Sequence, residues 1–425
     1  MKSPSTMKLL PALIISLLAG NASAAGFQLF EQTASGLGNA FAGSAAVAEN
    51  ASTIFYNPAG MTQLKDREFS TGLTSVGTSF KFSDKGSSVG FLTGNGTGGN
   101  GGGWGFIPNA YMSWAMRKDL HLGLGVAAPF GLKTEYDNQW VGAAQSTMFD
   151  VKTYDINPSV AFRVNESVSV GAGLSWQRLT AEYLRQVAVV SAVTSASPLA
   201  LNLNGDSWGW NVGALLTLSP ATKVGLSYRS RVKYDLTGDI NITGPSPALN
   251  ASRSSNARAD LELPDTFILS GTHQLSDKVQ LLGDLSWTGW SSIPKLDILR
   301  TSGALAGQIA QTLDTDFRDS TRVAVGVNYQ YRGDLKLKFG VAYDQTPVKG
   351  ASTRLVSLPD NDRTWLSGGA QWTVGKGGVL DIGATYLLLN NSQIDNNQLA
   401  EGRGRITGEY SANAWIFGLQ YSRAF

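Results

Sequence analysis

Residues 322–343 read RVAVGVNYQYRGDLKLKFGVAY. Val323, Val325, Val327, Tyr329 and Tyr331 alternate with Arg322, Ala324, Gly326, Asn328, Gln330 and Arg332. After Gly333-Asp334 the rule resumes, with Leu335, Leu337, Phe339, Val341 and Tyr343 set against Lys336, Lys338, Gly340 and Asp344. Side chains two apart share one face of a strand, so this stretch is a hairpin with one apolar and one polar surface. The same period recurs from Leu120 to Ala128, Tyr154 to Val164 and Val168 to Trp176. It recurs again where Val224, Leu226, Tyr228, Val232 and Tyr234 oppose Lys223, Arg229, Arg231 and Lys233.

Worked outward in both directions, the pattern predicts fourteen strands: 69–82, 105–117, 120–130, 154–164, 168–190, 207–218, 223–240, 259–275, 279–290, 320–332, 335–344, 364–374, 378–389 and 412–425. Short turns fall at Lys118-Asp119, Asn165–Ser167, Ser219–Thr222, Ser276–Lys278, Gly333-Asp334 and Gly375–Gly377. The connections between them, 83–104, 131–153, 191–206, 241–258, 291–319, 345–363 and 390–411, are all long. A soluble sandwich also wets one face, but it has no reason to segregate its loops. Alternating tight turns and extended loops over an even strand count predict an all-β fold, a 14-stranded antiparallel transmembrane β-barrel with its long loops outside. Lipid cannot hydrate an unpaired edge, so the sheet must close. On this reading Arg229, Arg231, Lys233, Arg322 and Arg332 face a polar lumen. The end of the chain, Trp415, Phe417, Leu419, Tyr421 and Phe425, resembles the aromatic terminus that outer-membrane assembly machinery recognises.

The N-terminus differs. Met1–Lys8 is basic, Leu9–Ala19 is apolar, and Ala22-Ser23-Ala24 supplies small-x-small residues, so 1–24 reads as a cleaved signal peptide. Its apolar core is too short to cross about 30 Å of hydrocarbon, and no later run reaches the ~18 apolar residues of a membrane helix. Residues 25–68 are rich in Ala and Gly and lack period two. Fourteen strands enclose a lumen between that of a filled eight-stranded barrel and an open porin. This segment is therefore expected to form an N-terminal plug, or hatch, inside a barrel of residues 69–425.

Composition excludes several functions. The 425 residues carry 34 Lys+Arg against 32 Asp+Glu, and losing Lys2 and Lys8 with the leader takes the bases to 32, equal to the acids. A nucleic-acid binder needs an excess of cations, so none is expected. With charged residues at 16% and mean hydropathy of −0.07, the chain is neither strongly hydrophobic nor disordered. Zero cysteines exclude disulfides and thiol chemistry, and two histidines, His121 and His273, argue against a metal centre. Gly86-Ser-Ser-Val-Gly90 and Gly205-Asp-Ser-Trp-Gly209 fit a hydrolase elbow in letters but not in strand–turn–helix context. Gly94-Asn-Gly-Thr-Gly-Gly99 has no helix after it to hold a pyrophosphate, and Asp360-Asn-Asp362 reads as a turn. No catalytic residue, metal or cofactor is assigned.

Ala25-Gly-Phe-Gln-Leu-Phe-Glu31, Ser35-Gly-Leu-Gly38, Asn57-Pro-Ala59, Tyr228-Arg-Ser230, Leu263-Pro264, Trp287-Thr-Gly-Trp290, Tyr343-Asp-Gln-Thr-Pro-Val348 and Ala414-Trp-Ile-Phe-Gly418 together resemble the FadL-type long-chain fatty acid transporters. That family includes importers of toluene, xylene and related hydrocarbons. The resemblance runs from Ala25 to Phe425. It implies a monomeric importer that collects a long-chain fatty acid or other hydrophobic small molecule outside. The ligand passes over a hatch and leaves through a kink in the third strand into outer-membrane lipid. It assigns Phe27 and Asn57 to the ligand region of the hatch, and matches Arg185, after a two-residue shift, to a carboxylate-binding arginine. Gly36, Gly38 and Pro58 fall in the hatch. The family's loop lysine is absent, with Leu313 near its place, and the 191–206 loop is short, which favours a neutral ligand as the alternative. The third strand carries its own signal: Pro129 has no N–H for a ladder and Gly131 permits a break, so Pro129, Phe130 and Gly131 are the expected lateral gate.

Overall fold

The computed structural model describes residues 26–90, 92, 94–188, 196–375 and 377–425. The leader 1–24, the end of the 168–190 strand, the start of the 191–206 connection and Lys376 of the Gly375–Gly377 turn lie outside the described residues. Hydrogen bonding divides the wall into twenty segments of one sheet. They are β1 (Arg67–Asp84), β2 (Trp104–Arg117), β3 (Leu120–Ala127), β4 (Gly131–Glu135), β5 (Met148–Arg163), β6 (Val168–Ala188), β7 (Ala196–Ser219), β8 (Thr222–Arg229), β9 (Val232–Ile242) and β10 (Ser255–Leu263). The chain continues through β11 (Thr266–Gln274), β12 (Val279–Thr288), β13 (Leu296–Arg300), β14 (Ile309–Leu313), β15 (Ser320–Arg332), β16 (Leu335–Asp344), β17 (Arg363–Val374), β18 (Gly378–Leu389), β19 (Ser392–Gln398) and β20 (Gly404–Ala424). Several are halves of one interrupted strand, and the whole forms a closed, 14-strand antiparallel barrel. β20 returns to β1, from Glu68↔Ala424 to Asp84↔Gly408, so the sheet closes on itself.

Residue parity shows which face is wet. Val325 and Leu419 are 61% and 53% exposed on the outside, whereas Lys338 and Gln420 are buried within. Apolar side chains outside and polar ones inside are the reverse of a soluble sandwich and what lipid demands.

Residues 26–66 lie inside the wall. They hold α1 (Ala34–Leu37), α2 (Thr53–Tyr56) and a 3-10 turn over Pro58–Gln63. Polar groups from several strands of the wall hold them. Tyr111 Oη of β2 donates to Gln32 O at 2.9 Å and Ser44 Oγ donates to Asp284 of β12 at 2.7 Å. Asn57 Nδ2 donates to Ala214 O of β7 at 2.9 Å, and Thr62 Oγ1 to Ser169 of β6 at 2.7 Å. Lys338 of β16 is ion-paired with Asp381 at 3.2 Å and with Glu49 of this segment.

Two expectations change. Arg229 and Arg322 do turn inward, but Arg231, Lys233 and Arg332 do not. Arg332 sits at the exposed rim, paired with Asp334 at 2.8 Å. Between β8 and β9 the chain adds an unpaired residue at Ser230-Arg231, and the alternation inverts: Val232 and Tyr234 are buried and Lys233 is 79% exposed. A one-residue slip must flip every later side chain. The same inversion occurs at Pro264-Asp265 between β10 and β11, and at 128–130 between β3 and β4. The second change is length. β5 begins at Met148 and β7 at Ala196, the 291–319 connection contains β13 and β14, and 390–411 contains β19. Sequence alternation misses these extensions because, towards the long-loop end, the outward face turns polar and the inward face apolar. The lumen there is lined by Leu179, Leu199, Leu201, Leu203, Val232, Tyr234 and Leu236.

Candidate functional site

The third strand is where the wall is incomplete. β3 pairs with β2 from Arg117↔Leu120 to Ala110↔Val126, and there the register ends. Trp104–Asn109 of β2 keep their partners on β1 but have none on the β3 side among the described residues. Ala127 to Leu132 are buried without alternation, so the strand steps inward before β4 resumes pairing with β5. Pro129 has no donor to spend on β2, and Pro108 on the facing stretch has none either.

The backbone exposed by this step is covered from within. Leu29 N donates to Pro129 O and Gly131 N to Phe27 O, both at 2.8 Å, with Gln28 and Phe130 bridged antiparallel between them. Gln32 adds two bonds to Ala128: its Nε2 donates to the carbonyl at 2.8 Å and its Oε1 accepts from the N–H at 2.9 Å. Thr153 of β5 accepts from Phe130 N at 2.8 Å. The first residues of the inner segment thus serve as a surrogate strand along the kink.

Around that contact lie four rings. Phe27 is 5.8 Å from Phe130 and 5.0 Å from Trp290, and Trp290 is 5.8 Å from Phe317. Gly26, with φ of +62°, lets the chain pass Trp290: a Cβ there would lie 2.7 Å from the indole. Its N–H donates to Asp360 at 2.9 Å, and Asp360 is itself held by Arg363 at 2.6 Å. Beside the rings a narrow cavity is enclosed by Leu29, Phe30 and Tyr56 from the inner segment and by Pro129, Val232, Pro264 and Ile268 from the wall. It collects all three sites where the alternation inverts.

Phe27, Pro129, Phe130 and Gly131 therefore come together. Asn57 and Pro58 do not line this cavity; Asn57 is fully buried, accepts from Ala59 N at 3.1 Å as the cap of the turn that Pro58 starts, and braces Ala45 and Ala214. Gly36 and Gly38 lie near the floor, in and just after α1. Gly38 has an ordinary helical φ of −61°, and its tight fit is to the wall, where a Cβ would be 3.0 Å from Gly369 Cα. Arg185 is remote, near the long-loop end of β6, buried, with Nε donating to Gln311 at 3.0 Å. Sequence reading misses Gln32, Thr153, Trp290 and Asp360 as parts of this site. Asp360 looks like a turn residue until its burial against Gly26 is seen, and nothing local marks it. Trp290, ending the Trp287-Thr-Gly motif, is the one that carried a signal. Ser207, of the Gly205–Gly209 motif, lies mid-strand in β7 and donates its hydroxyl to Lys233 O, not to a base.

Comparison with known proteins agrees with this architecture. A FadL homologue of Pseudomonas aeruginosa superposes with a TM-score of 0.85 at 22% identity, covering 94% of this chain and 99% of that one. The toluene transporter TbuX of Ralstonia pickettii gives 0.70 at 17% identity, covering 93% and 100%. In sequence, the chain is 29% identical over 449 residues to a long-chain fatty acid transport protein of Escherichia coli O6:H1, covering 97% of each. It is 31% identical over 414 residues to outer membrane protein P1 of Haemophilus influenzae strain Rd, covering 88% of each. The profile described as outer membrane protein transport protein (OMPP1/FadL/TodX) matches residues 15–425. The chain belongs to that family of outer-membrane transport proteins.

Proposed function

We propose that the protein imports long-chain fatty acids across the outer membrane by passive diffusion, with release through the side of the barrel. The leader 1–24 is removed on export, and residues 25–68 act as the hatch. The apolar lumen at the long-loop end receives the acyl chain. Each CH₂ leaving water gains about 0.8 kcal/mol, so an apolar path that ends in lipid keeps the whole route downhill, whereas a watery bore would oppose it. Ligand reaches the rings of Phe27, Phe130 and Trp290. Displacement of Phe27–Leu29 then bares the kink at Pro129, and the unpaired stretch of β2 gives a way out into the bilayer.

The observation that carries this reading is the register that stops at Ala110↔Val126 beside an inner strand that is not part of the wall. The chain has no cysteine, so a single disulfide can test it. Oxidised Gln28→Cys/Phe130→Cys protein should import fatty acid at least about tenfold more slowly, the effect of ~1.4 kcal/mol on a barrier, and reduction should restore it. Equal uptake in both redox states would mean that the arm does not gate the exit. A second ligand class, neutral aromatic hydrocarbons travelling the same route, is supported by the four rings at the gate. Competition between toluene and a fatty acid for uptake separates the two.

A further inference from the structure

Arg322 of β15 is buried where the arm, the floor and the wall meet, and it touches all three. Its Nη2 donates to the carbonyl of Ala40 in the floor. Its guanidinium lies between two rings, 4.8 Å from the centroid of Phe30 on the arm and 4.9 Å from a ring of Trp365 on β17. Among the described residues it forms no ion pair, and its Nε and Nη1 have no hydrogen-bond partner. Glu31, Asp284 and Asp344 lie within electrostatic reach of it without bonding to it. By contrast, Arg363 meets Asp360 at 2.6 Å and Arg229 meets Asp155 at 3.4 Å. Ring faces attract a cation most strongly where water is excluded, and only while the ring stays over the charge.

Phe30 belongs to two places at once. It meets Arg322, and it also lines the narrow cavity at the kink with Leu29, Tyr56, Pro129 and Ile268. The residues that cover the kink, Phe27–Leu29, directly precede it. Glu31 directly follows it, and neither of its carboxyl oxygens has a hydrogen-bond partner among the described residues. Phe41 lies 6.0 Å from the Phe30 ring, and the Tyr56 hydroxyl donates to Phe30 O at 2.5 Å, so the floor holds it from one side. Arg322 supplies its contact with β15. An apolar molecule that enters the cavity meets the same ring. Close-packed walls leave it little room, so Phe30 must shift to admit it. The guanidinium then keeps Ala40 and Trp365, and the arm loses its hold on the wall at this point.

We propose that Arg322 is the positioning residue that latches the arm over the kink through the face of Phe30, and that a hydrophobic ligand releases the arm by taking Phe30 off the guanidinium. The proposal rests on the import reading above and deepens it, naming the contact that the ligand must displace. The chain has no cysteine, so Gln28→Cys places a single thiol on the arm. The rate at which a water-soluble maleimide reacts with it, in the full-length mature protein in detergent, reports release. Oleate or toluene should raise that rate about tenfold or more, the scale of one buried cation–π contact. Arg322→Met and Phe30→Leu, shown to be folded by heat-modifiable gel migration, should each raise it about as far with no ligand present, and ligand should then add little. Phe30→Leu keeps every buried charge in place, so it carries the test if Arg322→Met does not fold. Arg322→Lys, which keeps the cation, should retain part of the hold. A thiol introduced instead by Thr62→Cys, in the floor, should react at one rate throughout. Folded variants whose thiol at position 28 reacts as slowly as before would overturn the latch. Equal acceleration at position 62 would also overturn it, since that marks general loosening. If the variants free the arm but no ligand does so in the unaltered protein, the release step is wrong. The import reading fails separately, only if the arm crosslinked to position 130 still allows full uptake.

Discussion

Glu31 follows Phe30 at the point where the inner segment turns from the kink towards the floor, and it is completely buried. Burial pushes its carboxyl up from 4.5 to about 7, against the pull of Arg363 and Arg322 and with Asp344 opposing them. A carboxyl raised in the folded state favours its protonated form there. Its contribution to stability is fully present below about 4.5 and is lost as pH rises through about 7, a change of about 3 kcal/mol. The heat-denaturation midpoint of the purified protein should therefore fall between pH 5 and pH 8, and Glu31→Gln should flatten that fall. A midpoint equally pH-dependent in the variant would assign the effect to other groups. At this scale legibility is uneven. Pro129 announces a broken ladder from its ring alone, whereas Gly38 suggests a tight turn and proves to be a contact with Gly369. The left-handed backbone falls instead on Ala40 and Phe41, at φ of 49° and 56°, where no residue preference marks it.

At the scale of the element, the interrupted strands matter most. Where β8 gives way to β9, β10 to β11 and β3 to β4, the two faces of the strand exchange, through one inserted residue at the β8–β9 and β3–β4 breaks. Nearer the short turns, apolar side chains point to lipid and polar ones to the lumen; nearer the long loops the assignment is reversed, giving an apolar interior beneath a polar outer skin. The inversion thus gives one chain segment a lipid-facing apolar surface at one end and a lumen-facing apolar surface at the other. Pro129→Val restores a backbone donor at the break in the third stave. It should let pairing with β2 extend beyond Ala110↔Val126 and slow uptake on the order of tenfold, as ~1.4 kcal/mol on the exit barrier would. Transport at the original rate would detach the kink from the exit path.

Across the whole molecule, the barrel and its contents are held together by polar contacts spread over much of the wall, with the side chains of Tyr111, Ser169, Asp284 and Lys338 and the carbonyl of Ala214 meeting the inner segment from five strands. Individual hydrogen bonds of this kind contribute only about 1 kcal/mol each, so the packing of the inner segment rests on many small terms. Deleting residues 26–64 should leave a wall that still closes through β1 and β20, with a lumen of intermediate bore. Planar-bilayer recordings should show ion conductance for that variant and none for the intact chain. Silence from the deletion would mean that the long loops, not the inner segment, close the lumen.

Period-two alternation, the regular exchange of short turns and long connections, and the lack of period two before residue 67 are properties of the chain read in order. They determine the number of strands, the closed wall and the lipid-facing side, because a strand in hydrocarbon has one solution for its faces and none for a free edge. The placement of Gln28 against Phe130, of Asp360 against Gly26 and of Phe30 against Arg322 joins residues that are more than a hundred positions apart. Those meetings, and the inversions that turn Val232 and Tyr234 inward, depend on register, and a single added residue changes register without changing any local preference. Only the closed tertiary structure decides them.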